Sequence, residues 1–275
     1  MKKIITTILV YLFLSIAAFI SIFPFIWMII STTNPSVAVT GGRMLPGSHF
    51  IENWNQMIYV TDFSRAFLNT MRISVITTVS ALLISSLAGY GFEIYKSKTR
   101  DFIFNILLGS MMIPFAALMV PMFRMFANIP VLVPIFGINT HGAIILPGVA
   151  TAFLIFFFRQ STKMFPREIL EAGRIDGLSE LGIFFKIYMP TMKATYAAAG
   201  IITFMTSWNN FLWPLIVVQS PEQRTLTLLI SNLGAGFTPD YGVIMLAIVL
   251  ATIPVAIVFF VLQKHFVAGM MGSVK

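Results

Sequence analysis

The chain has 275 residues, of which 57% are hydrophobic and only 10% charged, whereas soluble domains carry about a quarter charged residues. With a mean hydropathy of +0.89, it cannot cover its surface with polar groups, which excludes an ordinary soluble fold. Its net charge is +8 and it has no cysteine, so disulfides, thiol nucleophiles and cysteine metal sites are excluded as well.

Six apolar stretches of membrane-spanning length follow in chain order, all helical by expectation. The first covers residues 4–30, behind Lys2 and Lys3. It is too long for the core of a signal peptide and lacks a small-x-small cleavage site, so an uncleaved span is expected. Residues 31–65, rich in Gly, Pro and Asn, read as a long loop. The second span covers 66–92, and a short basic turn follows at 93–101. The third covers 102–126 with Pro114 and Pro121 inside, and the fourth covers 143–158. The fifth covers 196–218 and the sixth 243–262 with Pro254 inside. Kinks are expected at these prolines, which membrane helices tolerate where neighbours satisfy the freed carbonyls. The whole chain, 1–275, reads as a single transmembrane domain.

Basic residues set the direction. With the N-terminus inside, thirteen of the 18 Lys and Arg fall in inner segments, leaving Arg43, Arg65, Arg72, Arg124 and Arg224 outside. The positive-inside rule therefore favours cytoplasmic termini. It also accounts for the basic balance without a nucleic-acid partner.

The connection at 160–195 differs from the rest. It holds Glu168, Glu171, Asp176 and Glu180, four of the ten acids, and reads as a hairpin of two short helices. Pro166 suits a helix start, Gly177 a left-handed stop and Ser179 a second N-cap. Pro190 is expected to close the second helix. Ile169, Ala172, Gly173 and Asp176 share one face of the first helix, while Leu181, Phe184, Phe185 and Tyr188 form a bulky stripe on the second. Pattern alone leaves two readings open: docking into a partner's groove, or packing against the ends of the chain's own spans.

The run Glu171-Ala172-Gly173-Arg174-Ile175-Asp176-Gly177, followed by Phe184, Ile187 and Met189-Pro190, resembles the coupling motif of binding-protein-dependent ABC importer permeases. The family pattern has Glu-Ala-Ala, two variable residues, Asp-Gly and a later hydrophobic-Pro pair. Gly173, Leu178 and Met189 depart from its usual Ala, Ala and Leu. Further stretches resemble the carbohydrate branch, with a maltose-type second permease subunit as the nearest pattern: Phe67-Leu68-Asn69-Thr70, Ala88-Gly89-Tyr90-Gly91-Phe92, Asn139-Thr140-His141-Gly142, Trp208 to Pro214, and Val267-Ala268-Gly269.

The resemblance implies an all-α, type I importer-like fold of about six spans in a bacterial cytoplasmic membrane. It implies Glu171, Ala172, Gly173, Asp176 and Gly177 as the residues that dock on an ATPase. It also implies a second homologous permease subunit, two ATPase subunits and an extracytoplasmic sugar-binding protein as partners. Residues 269–275 are a candidate further contact with the ATPase. No Gly-Lys pair occurs in the chain, so it has no phosphate-binding loop of its own. ATP and Mg are expected on the partner ATPase, with no cofactor on this chain.

In the fifth span, Thr206, Trp208, Asn209 and Asn210, with Thr203 and Ser207 beside them, are candidate substrate-pathway residues, because rings stack on sugar faces and amides bond hydroxyls. Helix–helix hydrogen bonding is the alternative. Asn69 and Arg72 read as packing and snorkelling residues. Catalysis finds no support: His49, His141 and His265 are isolated in sequence. An importer permease for a non-sugar solute and a stand-alone secondary transporter remain as rivals, though no acid reads as lying inside a span.

Overall fold

The computed structural model describes residues 2–128 and 134–272. Its helices are α1 (Lys2–Ser31), α2 (Ser36–Thr40), α3 (Phe50–Val60), α4 (Phe63–Ile94), α5 (Lys98–Ser110), α6 (Phe115–Asn128), α7 (His141–Ile145), α8 (Ala152–Lys163), α9 (Arg167–Ile175), α10 (Glu180–Ile183), α11 (Met189–Thr191), α12 (Lys193–Trp208), α13 (Leu212–Val217), α14 (Leu226–Gly234) and α15 (Tyr241–Gly272). No strand occurs among the described residues.

Among the described residues, four segments are long and apolar enough to cross a membrane: Lys3–Ser31, Phe63–Ile94, His141–Lys163 and Tyr241–Lys264. The third expected span is the pair α5 and α6, which meet at an angle of 104°. The break falls just before Pro114, whose ring pushes the preceding residue out of helical geometry. Pro121 and Pro254 lie inside helices. The fifth expected stretch is divided between α12 and α13. With 16 residues, α12 is shorter than the ~20 that a bilayer needs. The expected loop at 31–65 contains the 11-residue helix α3.

Two compact units divide the chain, residues 1–64 with 228–253 and residues 65–227 with 254–275. In the first, Asn53 Nδ2 donates to the carbonyls of Thr32 and Asn34, at 2.8 and 3.0 Å. Asn34 Nδ2 in turn donates to Ile30 O and Leu45 O, each at 3.0 Å. Met57 packs with Val243, Leu246 and Ala247. Gly242 lies so close to this amide lock that a Cβ would stand 2.7 Å from Asn34 O.

In the second unit, α4 and α8 touch at Gly89, where a Cβ would be 2.7 Å from the Arg159 amide nitrogen. Ala81, Leu154, Phe158 and Ala199 form a core beside that contact. Ile73, Phe126, Ala143, Ile144, Trp213 and Val217 form another. Trp213 Nε1 donates to Ala143 O at 2.8 Å, which gives the buried indole its partner. Asn139 adopts a left-handed φ of 63°, and its Oδ1 accepts from the amides of Gln219 and Ser220, at 3.0 and 2.9 Å. Asn69 is buried and ties down the segment at 222–224 by donating to Glu222 O and Arg224 O, at 2.8 and 3.1 Å. This is a packing role. Of the C-terminal tail, 273–275 lie outside the described residues, while 269–272 continue α15.

Candidate functional site

The hairpin is built much as its sequence suggests. Pro166 is the N-cap of α9. Gly177 ends it at φ 78°, a conformation that disfavours any residue with a Cβ. Ser179 caps α10, its Oγ accepting from Gly182 N at 3.2 Å. Pro190 does not close the second helix, as was expected. Instead the chain runs through a turn of π-helix at Phe184–Tyr188 and into α11, which contains Pro190. Met189 N–H bonds Phe184 O, and the wider register carries the helix past a residue that has no N–H to give. The break comes two residues after the proline, at Met192 (φ −87°, ψ 25°).

The bulky stripe divides between two surroundings. Phe184 and Tyr188 are buried with Phe165, Leu170, Ile183 and Tyr90 of α4, so part of the stripe packs on the chain's own span. Leu181 and Phe185 are exposed, as are Met164, Ile169 and Ile175. Gly173 is buried between the two hairpin helices, where a Cβ would meet Ile187 Cδ1 at 2.7 Å and Ile183 Cγ1 at 3.3 Å. It permits close approach within the hairpin. Glu171, Ala172, Asp176 and Gly177 lie on the exposed side. Among the described residues, neither Glu171 nor Asp176 has an ion pair. Asp176 is the C-cap of α9, where the helix dipole disfavours an acid.

Two polar ties bind the hairpin to the end of α4. In the first, Arg174 Nε donates to Glu180 Oε1 at 2.8 Å, and Tyr95 Oη donates to the other carboxylate oxygen. Arg174 first, then Tyr95, hold the Glu180 carboxyl below its ordinary range. Burial, and then the bond to Glu180, push Tyr95 up to about 12. In the second tie, Arg167 lies 3.7 Å from Glu93, and Glu93 is only 3% exposed. Glu93 also meets Lys96 Nζ at 2.5 Å and Arg159 Nε at 3.4 Å. Arg159 reaches Asp101 at 2.5 Å and lies 4.0 Å over the Phe104 ring. The node thus joins α4, α5 and α8 to the first residue of α9. Its members are far apart in the chain, and the sequence reads Glu93 only as the start of a short basic turn. The spacing Glu93–Lys96 was the only local signal.

A cavity of about 410 Å³ opens among α4, α6, α8, α12 and the segment after α12. Of the candidate pathway residues, Thr206 and Asn210 line it, with Thr203, Ser207 and Trp213 beside them. Thr77 and Thr151 line it from α4 and from the N-cap of α8. Trp208 does not reach it. That ring is buried, edge-on to Phe67 and stacked on Phe204, each with centroids 5.6 Å apart. Asn209 does not reach it either: it is exposed, and its Nδ2 caps Met205 O at 3.0 Å. The reason is local. Thr203, Thr206, Ser207 and Asn210 fall at i, i+3, i+4 and i+7 and share the cavity face, whereas Trp208 and Asn209, adjacent in sequence, point to other faces. Among the described residues, no group of three or more His, Asp or Glu could hold a metal.

The family model described as binding-protein-dependent transport system inner membrane component matches residues 81–272. The chain is 48% identical to the lactose transport system permease protein of Rhizobium radiobacter, across 96% of this chain and 95% of that protein. It is 35% identical to the arabinooligosaccharides transport system permease protein of Halalkalibacterium halodurans, across 94% and 92%. Its fold matches a chain of a bacterial ABC transporter involved in importing the acidic polysaccharide alginate, with a TM-score of 0.82 at 24% identity, covering 96% and 98%. The multi-pass helical architecture accords with these likenesses, and the chain belongs to the binding-protein-dependent transport system inner membrane component family.

Proposed function

We propose that the chain is one of two permease subunits of an ATP-driven saccharide importer, with both termini in the cytoplasm. The observation that carries this is the hairpin's outer face. It presents Glu171 and Asp176 without partners, amid exposed Ile169, Ile175, Leu181 and Phe185. Apolar side chains in water and an acid at the negative end of a helix both gain from a partner protein that covers them. A separate ATPase, carrying ATP and Mg, is that partner. Glu171, Ala172, Asp176 and Gly177 form its contact, and Gly173 lets the two hairpin helices pack closely behind it. A second permease subunit completes the pathway, and an extracytoplasmic binding protein delivers the solute. The relatives named for lactose and for arabino-oligosaccharides support a saccharide as that solute.

The mechanism follows from the ties. Closure of the ATPase displaces the hairpin. Glu93 and Tyr95 pass that displacement to the end of α4, and Arg159 passes it to α8. Both helices line the cavity, through Thr77 and Leu154. Packed helices move as rigid bodies rather than bending, so the cavity wall moves with the hairpin.

Purification from the native membrane in mild detergent tests this reading. An ATPase and a second multi-pass subunit are expected to come with the chain. Glu171→Arg with Asp176→Arg, both at exposed positions, is expected to lose the ATPase while keeping the second permease. Recovery of the chain alone, or an ATPase that stays through both charge reversals, would overturn it.

A further inference from the structure

The cavity has a polarity pattern that says which saccharides it takes. On one wall the hydroxyls of Thr203 and Thr206 donate to the carbonyls of Ala199 and Ile202, at 2.7 and 2.8 Å. Their protons are used, and the oxygens keep lone pairs. Thr151 Oγ1 is the reverse case: it accepts from Leu154 N at 3.3 Å and keeps its proton to donate. Thr77 Oγ1 is buried and has no partner. Buried hydroxyls are usually bonded, so a ligand group is the natural complement of this one. Asn210 adds an amide, which both donates and accepts. Trp213 spends its N–H on Ala143 O, leaving the indole only as an apolar wall, and Phe115 adds a second ring. Donors, acceptors and aromatic faces together match a polyhydroxylated ring. The volume of about 410 Å³ lies within the ~300–1,000 Å³ of small-molecule sites.

The lining also contains no Lys, Arg, His, Asp or Glu. A carboxylate or phosphate brought here would lose its water and find no countercharge, which is strongly unfavourable.

We infer that this subunit itself holds a glycosyl ring between Thr77, Thr206 and Asn210, and that the site takes neutral saccharides while rejecting sugar carboxylates and sugar phosphates. The inference rests on the importer reading and deepens it. Relatives of this fold handle different solutes, an acidic polysaccharide among them. The uncharged lining places this chain on the neutral side.

The lack of native cysteine supplies the test. Thr206→Cys, Asn210→Cys and Asn209→Cys are made singly, and each complex is purified with its partners and reconstituted in lipid vesicles. ATP-dependent uptake of lactose, arabinobiose, lactobionate and glucose 6-phosphate is measured first. Labelling by a small neutral maleimide is then followed with and without each solute. The neutral sugar that the complex imports is expected to slow labelling at 206 and 210 several-fold and to leave 209 unchanged. Lactobionate and glucose 6-phosphate are expected to protect neither position and not to be imported. Equal labelling with and without a sugar that is imported would overturn the inference and leave the importer reading standing. Import of an anionic sugar would overturn the charge selection. If no saccharide is imported with ATP, the importer reading fails and the inference with it.

Discussion

Glu93 takes part in three ion pairs among the described residues. Its carboxylate faces Arg159, Lys96 and Arg167, and removing it leaves the 7%-exposed Arg159 with only Asp101. Breaking one side of a buried pair costs about 3 kcal/mol or more, whereas replacing both partners by apolar groups is often near neutral. Glu93→Leu is therefore expected to lower stability by about 3 kcal/mol, read as the thermal melt of the purified complex. Glu93→Leu with Arg159→Met is expected to recover most of that loss. Additive losses would show that the two charges do not act as a pair. The glycines of the hairpin separate in the same way. Gly177→Ala puts a Cβ at φ 78° and is expected to cost about 1–2 kcal/mol. Gly173→Ala meets the far end of the Ile187 side chain and, less closely, Ile183 Cγ1, while the helix gains about 1 kcal/mol over glycine. It is expected to be nearly neutral in the same melt, while Gly173→Leu is expected to open the hairpin. Gly177 was legible because a turn residue after a helix announces itself in sequence. The Glu93–Arg159 pair was not, because 66 positions separate its members and local patterning carries no information at that range.

At the scale of the element, the hairpin is held by a titratable clasp. Glu180 lies below its ordinary carboxylate range because Arg174 and Tyr95 bond its ionised form. A depressed acid contributes stability that is full above its unfolded pKa and is lost as pH falls through the folded one. Tyr95 is raised to about 12, so its contribution is full below 10 and is lost only as pH rises toward 12. The clasp is expected to hold unchanged from about pH 5 to 10 and to loosen below about pH 4. Amide exchange of α9 and α10 checks this: protection drops at low pH in the wild type, and Glu180→Gln removes that dependence. A wild-type hairpin that loosens between pH 6 and 8 would contradict it. Caps and stops in this element were readable from sequence because each acts within three or four residues. The passage through Pro190 was not, since a π turn is a tertiary accommodation: Phe184 and Tyr188 stay buried against Tyr90 only if the helix continues. The cavity residues were half legible: one polar run held Thr206 to Asn210, and only its members at helical spacing, with Thr203, line the cavity.

For the molecule as a whole, composition and apolar runs made the helical membrane architecture readable, because lipid forces backbone groups to pair within a segment. How the third and fifth stretches break was less readable, since proline and asparagine mark a break without fixing its angle. As proposed, this chain moves solute using ATP hydrolysed on a separate subunit. The most direct test of this is sugar uptake into vesicles carrying the purified complex, with ATP sealed on the hairpin side. Uptake is expected to require ATP and Mg, to ignore proton and sodium gradients, and to be lost with Glu171→Arg and Asp176→Arg. Uptake without ATP, driven by an ion gradient and indifferent to those two substitutions, would contradict it.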